Sequence, residues 1–545
     1  MGALFDEGLA KNAANFQALS PISFLKRTAE IYPEYGAVVY RERRMSYREL
    51  LRRCEDFAGF LDMRGLRKGD VVAAMLPNIP EMLELSHAGI SAGRVLLTIN
   101  VRLDAAVIRF QLEHAEAKVL VYDREYAATI AGALAGMKSP PLALEVVDTG
   151  VAYTTVPLGH MGYEEAVSHG HGHGQLVGPE DEWDAIAVSY TSGTTGNPKG
   201  VVTHHRGAYL NAMANTVAWS MGAHPAYLWV LPMFHCNGWC FPWTITLLAG
   251  THLCLRKVED QAILDIANAH HATHFCAAPV VLSMLARRPA DGKGFDTPVR
   301  ILTAGAAPAA SVIEGVEALN AHVTQVYGLT ETYASTAVSA WKTSWNDGAY
   351  GNRYELKARA GVRFPACEAL DVVDSGYQSV PWDGETIGQV VVRGNTVMRG
   401  YLKNEDATRQ AFAGGWFNTG DLAVRHPDGY ISIRDRSKDM INSGGEKMSS
   451  LEIEQALYTH TAIFEAVVVA APDLKWGEVP WAFVSLKPGF EMSEEDVVAH
   501  CRARLARFKV PKRVIFGAIE HTATGKVQKF RLREFAKTTA ATDGE

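Results

Sequence analysis

The segment Tyr190-Thr191-Ser192-Gly193-Thr194-Thr195-Gly196-Asn197-Pro198-Lys199-Gly200 constrains the fold more than any other stretch. Four small hydroxyl residues, three glycines and one lysine fall within eleven positions, directly after the apolar run Ala185-Ile186-Ala187-Val188. A buried strand running into such a loop suits an anion. Glycines let backbone N–H groups converge, hydroxyls add donors, and lysine adds a point charge. The loop departs from the common P-loop, which needs Gly before the Lys and Ser or Thr after it; here Pro198 precedes Lys199 and Gly200 follows. An ordinary polar turn does not need this density of glycine and hydroxyl. The expected ligand is ATP, with Thr191, Ser192, Gly193, Thr194, Thr195, Gly196 and Lys199 around its phosphates.

A chain of 545 residues is too long for one core and predicts roughly two to four domains. Its 53 basic and 60 acidic residues give a net charge of -7 with no basic block, which excludes a nucleic-acid partner held by charge. Seven cysteines without regular spacing predict reduced thiols in a cytoplasmic setting. The acidic start (Asp6, Glu7) lacks the basic flank of a signal peptide, and no address is visible at Thr542 to Glu545. No Asp, Glu, Lys or Arg occurs between Arg206 and Arg256, yet Pro225, Pro232 and Pro242 interrupt the segment. A membrane span needs about 20 uninterrupted apolar residues, so a buried core with a pocket wall is expected instead.

The first 180 or so residues alternate helix and strand. Ser46-x-x-Glu49 opens a helix as a capping box, Asp70 to Leu76 reads as a buried strand, and a helix over 104–116 precedes a strand over 118–122. This predicts α/β layers with parallel sheet. The tract His169-Gly170-His171-Gly172-His173-Gly174 reads as a solvated loop. Further strands are expected near Tyr227–Leu231, His274–Ala278, Val299–Ala304 and His322–Tyr327. From about Gly384 short glycine-rich β pieces suggest a β-rich subdomain. The polar junction Arg434-Asp435-Arg436-Ser437-Lys438-Asp439 leads into an α+β unit with a helix expected over 493–508. The fold expected is a large N-terminal domain over 1–434, a hinge over 435–438 and a small mobile domain over 439–545.

With these pieces in order the chain resembles the adenylate-forming superfamily: acyl-CoA synthetases, luciferases and peptide-synthetase adenylation domains. The resemblance implies that an acid and ATP give acyl-AMP and pyrophosphate, after which a rotated C-terminal domain lets a thiol take the acyl group. In Tyr327-Gly328-Leu329-Thr330-Glu331 it implies that Tyr327 lies against adenine, Gly328 belongs to the nucleotide site, Thr330 bonds the α-phosphate and Glu331 ligates Mg²⁺, whose preference is for carboxylate oxygen. Gly305-Ala306-Ala307-Pro308 would let adenine approach the backbone. Asp421 and Arg436 would hold the ribose, Lys438 would be the hinge, and Gly444, Gly445 and Glu446 would line the arm of coenzyme A, with Trp476-Gly477-Glu478 a weaker candidate there. Lys526, in Thr524-Gly525-Lys526, would bridge carboxylate and α-phosphate; Glu520-His521 stands where the family has Pro-Lys.

For the acid, the resemblance implies that His235 gates the site and that Trp239, Thr303 and Gly305 line it. The bulky Trp239 and Trp243 argue against a long tunnel. Short- or medium-chain acids, including thioether acids such as methylmercaptopropionate, or small aromatic acids fit. An acceptor other than coenzyme A, a non-catalytic nucleotide sensor and a homodimer remain open.

Overall fold

The computed structural model describes residues 8–191, 198–288, 294–347, 351–520 and 527–542. The chain forms two compact units, the first comprising residues 1–191, 199–257 and 395–403, the second the rest.

In the first unit one sheet runs in the order Gly400–Tyr401, Lys199–His204, Ala185–Thr191, Val95–Thr98, Val71–Met75, Ala117–Asp123, Leu142–Val146, Met161–Gly162. Val71–Met75 pairs in parallel with both neighbours and is buried at all five positions, which explains its unbroken apolar run. At the sheet's other end Ala185–Thr191 and Lys199–His204 are antiparallel, with Thr191 opposite Lys199. A second set of strands in this unit runs Ala226–Trp229, Thr251–Cys254, Gly36–Tyr40, Arg43–Ser46. Helix Pro80–Ala88 is buried throughout, and its Glu84 carboxylate meets the Arg53 guanidinium at 2.7 and 3.1 Å and the Tyr163 hydroxyl at 2.9 Å.

In the second unit His274–Ala277, Val299–Thr303 and Ala321–Leu329 are parallel, and Ala334–Val338 and Val362–Arg363 continue antiparallel. An antiparallel sheet follows: Ala369–Val373, Gly388–Arg393, Phe417–Arg425, Ile431–Arg436. The last sheet is built on Ile463–Asp473 and Gly477–Leu486, with helices Ser450–Tyr458, Glu494–Arg502 and Lys529–Thr542 around it. Its alternation is that of a sheet covered on both faces: Ala466 and Val468 pack with Ile453 and Val497, Val467 and Val469 with Ala536. The mixed α/β class and the small α+β C-terminal domain agree with the sequence reading.

Boundaries moved where caps decide them. The helix expected over 104–116 runs Ala105–His114, with Asp104 outside it accepting the Val107 N–H. That expected over 493–508 stops at Arg502, and a separate short turn, Arg507–Lys509, precedes Val510-Pro511, where proline forces extended backbone. The histidine–glycine tract is less a solvated loop than a packing device. Its histidines are exposed, but a side chain on Gly170 or Gly174 would collide with the carbonyls of Asp56 and Glu55 on helix Tyr47–Met63. Among the described residues no helix is long and apolar enough to cross a membrane.

Candidate active site

Ser192 to Gly196 and Lys526 lie outside the described residues. Thr191 and Lys199 pair at the ends of two antiparallel strands, and the exposed Lys199 ammonium sits 4.8 Å from the centre of the Tyr401 ring.

Also in the first unit, His235 and Trp239 share a turn of unusual backbone. Cys236, Asn237, Gly238, Trp239 and Cys240 all have φ between 45° and 64°. A left-handed turn costs on the order of 1–2 kcal/mol for each residue with a side chain, and such conformations persist only where surroundings over-determine them. The surroundings here are specific. Asn78 donates to the carbonyls of Trp229 and Leu231 at 2.8 and 3.0 Å and accepts the Met233 N–H at 2.8 Å. Thr98 donates to the Phe234 carbonyl at 2.7 Å, and Asn215 to that of Trp239 at 3.1 Å. Asn78 follows the carboxyl end of the parallel strand Val71–Met75 and Thr98 is the last residue of the parallel strand Val95–Thr98, the end at which α/β sheets place ligands. Both were missed in the sequence, where each reads as one more polar loop residue. Asn237 is 2% exposed, and neither end of its amide has a hydrogen-bond partner among the described residues.

In the second unit the structure joins three predicted residues. The Tyr327 hydroxyl donates to Asp421 Oδ2 at 2.7 Å, and Arg436 Nε lies 3.3 Å from Asp421 Oδ1. Strand pairing sets Asp421 opposite Arg436. Burial and the Asp421 carboxylate push the Tyr327 hydroxyl well above the usual tyrosine value, so it stays a donor. Thr330 and Glu331 stand half-buried in the short turn Thr330–Thr332, which the Thr332 hydroxyl clasps by accepting the Leu329 N–H and donating to the Leu329 carbonyl. Gly328 precedes it in the strand. Thr303 ends its strand beside Gln325, and Thr303 Oγ1 and Gln325 Oε1 are buried with no hydrogen-bond partner among the described residues. Gln325 carried no signal in the sequence. Gly305, Ala306 and Ala307 are exposed, Pro308 is buried, and Gly305 has φ of 99°, which its lack of a side chain allows.

The strand Ile431–Arg436 ends at Arg436, leaving Ser437 and the exposed Lys438 to link it onward. Beyond them Gly444, Gly445 and Glu446 form an exposed hairpin. The Gly444 N–H donates to the Trp476 carbonyl at 2.7 Å, and a Cβ on Gly444 would lie 2.7 Å from the Trp476 ring.

Comparison with known proteins places this geometry. The AMP-binding enzyme pattern matches residues 25–402, and that of the AMP-binding enzyme C-terminal domain matches 452–526. The chain belongs to the AMP-binding enzyme family. It is 43% identical to an acetate–CoA ligase of Humulus lupulus, over 97% of each chain. It is equally 43% identical to a peroxisomal acetate/butyrate–CoA ligase of Arabidopsis thaliana, over 97% of each chain. Among solved structures, ATP-bound MatB from Rhodopseudomonas palustris matches with a TM-score of 0.82 and 26% identity, over 95% of this chain and 99% of that one. An anthranilate CoA ligase in complex with anthranoyl-AMP shares the fold, with a TM-score of 0.84 and 23% identity, over 97% of this chain and 100% of that one.

Proposed function

We propose that the protein activates a short straight-chain or singly branched aliphatic acid as its acyl-AMP and passes the acyl group to coenzyme A. The activity is that of an AMP-forming acid–thiol ligase using ATP, Mg²⁺ and coenzyme A. A carboxylate oxygen attacks the α-phosphorus and pyrophosphate leaves; the deprotonated sulfur of coenzyme A then attacks the acyl carbon and AMP leaves.

Both reactants of the first step are anions, so positioning and charge neutralisation supply most of the catalysis. Lys526 is the residue assigned to bridge them, with Lys199 and the loop from Thr191 on the outer phosphates and Thr330 on the α-phosphate. Asp421 and Arg436 take the ribose hydroxyls, Tyr327 and the Gly305–Pro308 backbone take adenine, and Glu331 would hold Mg²⁺. One carboxylate fits that ion, which draws its other ligands from phosphate and water. Rotation about Lys438 then brings Gly444, Gly445 and Glu446 to the arm of coenzyme A.

The observation that carries the acid class is the largely buried turn over residues 232–240, which includes the buried Trp239 and has the Trp229 indole against Gly238. The acids named for three relatives, acetate, butyrate and 2-methylpropanoate, support the same class. A relative from Petunia hybrida that is 40% identical and named a trans-cinnamate ligase keeps an aromatic acid as the second reading. Seven free, buried cysteines favour a reducing compartment, the cytoplasm first.

The test is a panel of acetate, propionate, butyrate, 2-methylpropanoate, methylmercaptopropionate, hexanoate and cinnamate, read as pyrophosphate, AMP and thioester. Short acids are expected to give all three together, with steady AMP release requiring coenzyme A. Preference for cinnamate overturns the acid class, full turnover without coenzyme A overturns the acceptor, and no acid-dependent pyrophosphate overturns the activity.

A further inference from the structure

Strand Ala226–Trp229 ends with a fully buried indole. A Cβ placed on Gly238 would lie 2.9 Å from Cζ3 and 3.0 Å from Cη2 of Trp229. The six-membered end of the indole therefore touches the left-handed turn directly, and no void separates them.

The opposite edge of the ring is anchored. Trp229 Nε1–H donates to His252 Nδ1 at 3.1 Å, so that nitrogen accepts and a neutral imidazole carries its proton on Nε2. His252 Nε2 lies 3.3 Å from Thr246 Oγ1, and His87 Nε2 lies 3.4 Å from the same oxygen. Thr246 gives its own proton to the Pro242 carbonyl at 2.7 Å, which leaves its oxygen to accept from both histidines. Burial pushes His87 and His252 down to about 3, so both rings are neutral and each bond has one direction. The indole cannot tilt away from the turn without stranding a buried donor.

The turn itself points to a ligand. The Asn237 amide, buried with donor and acceptor both unmet among the described residues, suits a bound polar group.

We propose that Trp229 is a specificity-determining residue, its indole forming the floor of the acid site beneath Gly238 and excluding acids longer than the short-chain class. This rests on the functional reading that residues 232–240 line the acid site. Trp239, which the sequence offers for that task, lies on the turn; Trp229 stands behind it, in a strand that reads as ordinary core.

The experiment compares kcat/KM for hexanoate with kcat/KM for propionate in the full-length enzyme and in Trp229→Leu. The ratio is independent of how much of a preparation is folded. It is expected to rise about tenfold, and a rise below about threefold overturns the proposal. Trp229→Phe, which keeps a smaller ring, is expected to shift the ratio less and in the same direction, and it carries the test should the leucine variant not fold. If neither variant turns over any acid, binding of propionyl and hexanoyl sulfamoyl-adenosine by calorimetry gives the same ratio. Failure of both variants to fold, or to bind either analogue, also overturns it, because the indole is then scaffold alone. Absence of acid-dependent pyrophosphate release by the parent enzyme defeats the functional reading; an unchanged ratio with an active parent defeats only this inference.

Discussion

The turn over residues 232–240 and the hairpin over residues 441–448 are both glycine-bearing loops assigned to substrates, and they are built in opposite ways. The turn is largely buried, runs left-handed through five consecutive residues, and is strapped by Asn78, Thr98 and Asn215 from elsewhere in its unit. In the hairpin Asn442, Gly444, Gly445, Glu446 and Lys447 are exposed, and its support is nearby: the Trp476 carbonyl for Gly444 and the Glu478 carboxylate for the Asn442 N–H. A site that measures an acid needs a fixed shape, and a fixed shape in strained backbone needs many outside partners. A segment that must admit a thin arm and move aside needs few.

The strongest way to break the contrast is Asn78→Leu. It strands two carbonyls and one N–H behind the turn, and unfolding in urea is expected to show a loss of about 3 kcal/mol or more. The KM for the acid should rise with it. A loss below about 1 kcal/mol would mean the turn needs no strap.

Next in size is a pH effect confined to the buried side. His87 and His252 fall from an ordinary 6.5 to about 3 in the fold, so the unfolded chain binds more protons between those values. Their contribution to stability is whole above about pH 6.5 and is lost as the pH falls below it, by about 1.4 kcal/mol per pH unit for each ring. In His87→Leu the slope of unfolding free energy between pH 6.5 and pH 5 should shrink by about that amount. An unchanged slope would show that His87 is not held neutral.

Gly444→Ala sharpens the other side. Gly444 has φ of 61°, and the added methyl presses on the Trp476 ring. Strain of about 1 kcal/mol predicts a roughly fivefold slower thioester step with adenylation unchanged, measured in separate half-reaction assays. Equal slowing of both would merge the two regions into one.

The contrast also marks what a sequence can and cannot tell. The motif order was legible because each motif is contiguous, and the strand Val71–Met75 because both its faces are buried. The Tyr327–Asp421 bond joins residues 94 apart on strands of two different sheets, a meeting that no local spacing encodes. In Cys236-Asn237-Gly238-Trp239-Cys240 only Asn and Gly hint at positive φ; the rest of the turn is imposed by packing. Asn78, Thr98, Gln325 and Trp229 carry no motif at all, because their importance lies in what the fold sets beside them.

One measurement tests the division between a rigid acid side and a moving thiol side most directly. In Lys438→Pro the ring fixes φ at the link after Arg436 and restricts Ser437 before it. ATP–pyrophosphate exchange and thioester formation are measured in the same preparation with the best acid of the panel. The prediction is exchange within about twofold of the parent and thioester formation slower by roughly a hundredfold. Thioester formation at the parent rate, or equal loss of both activities, would contradict it.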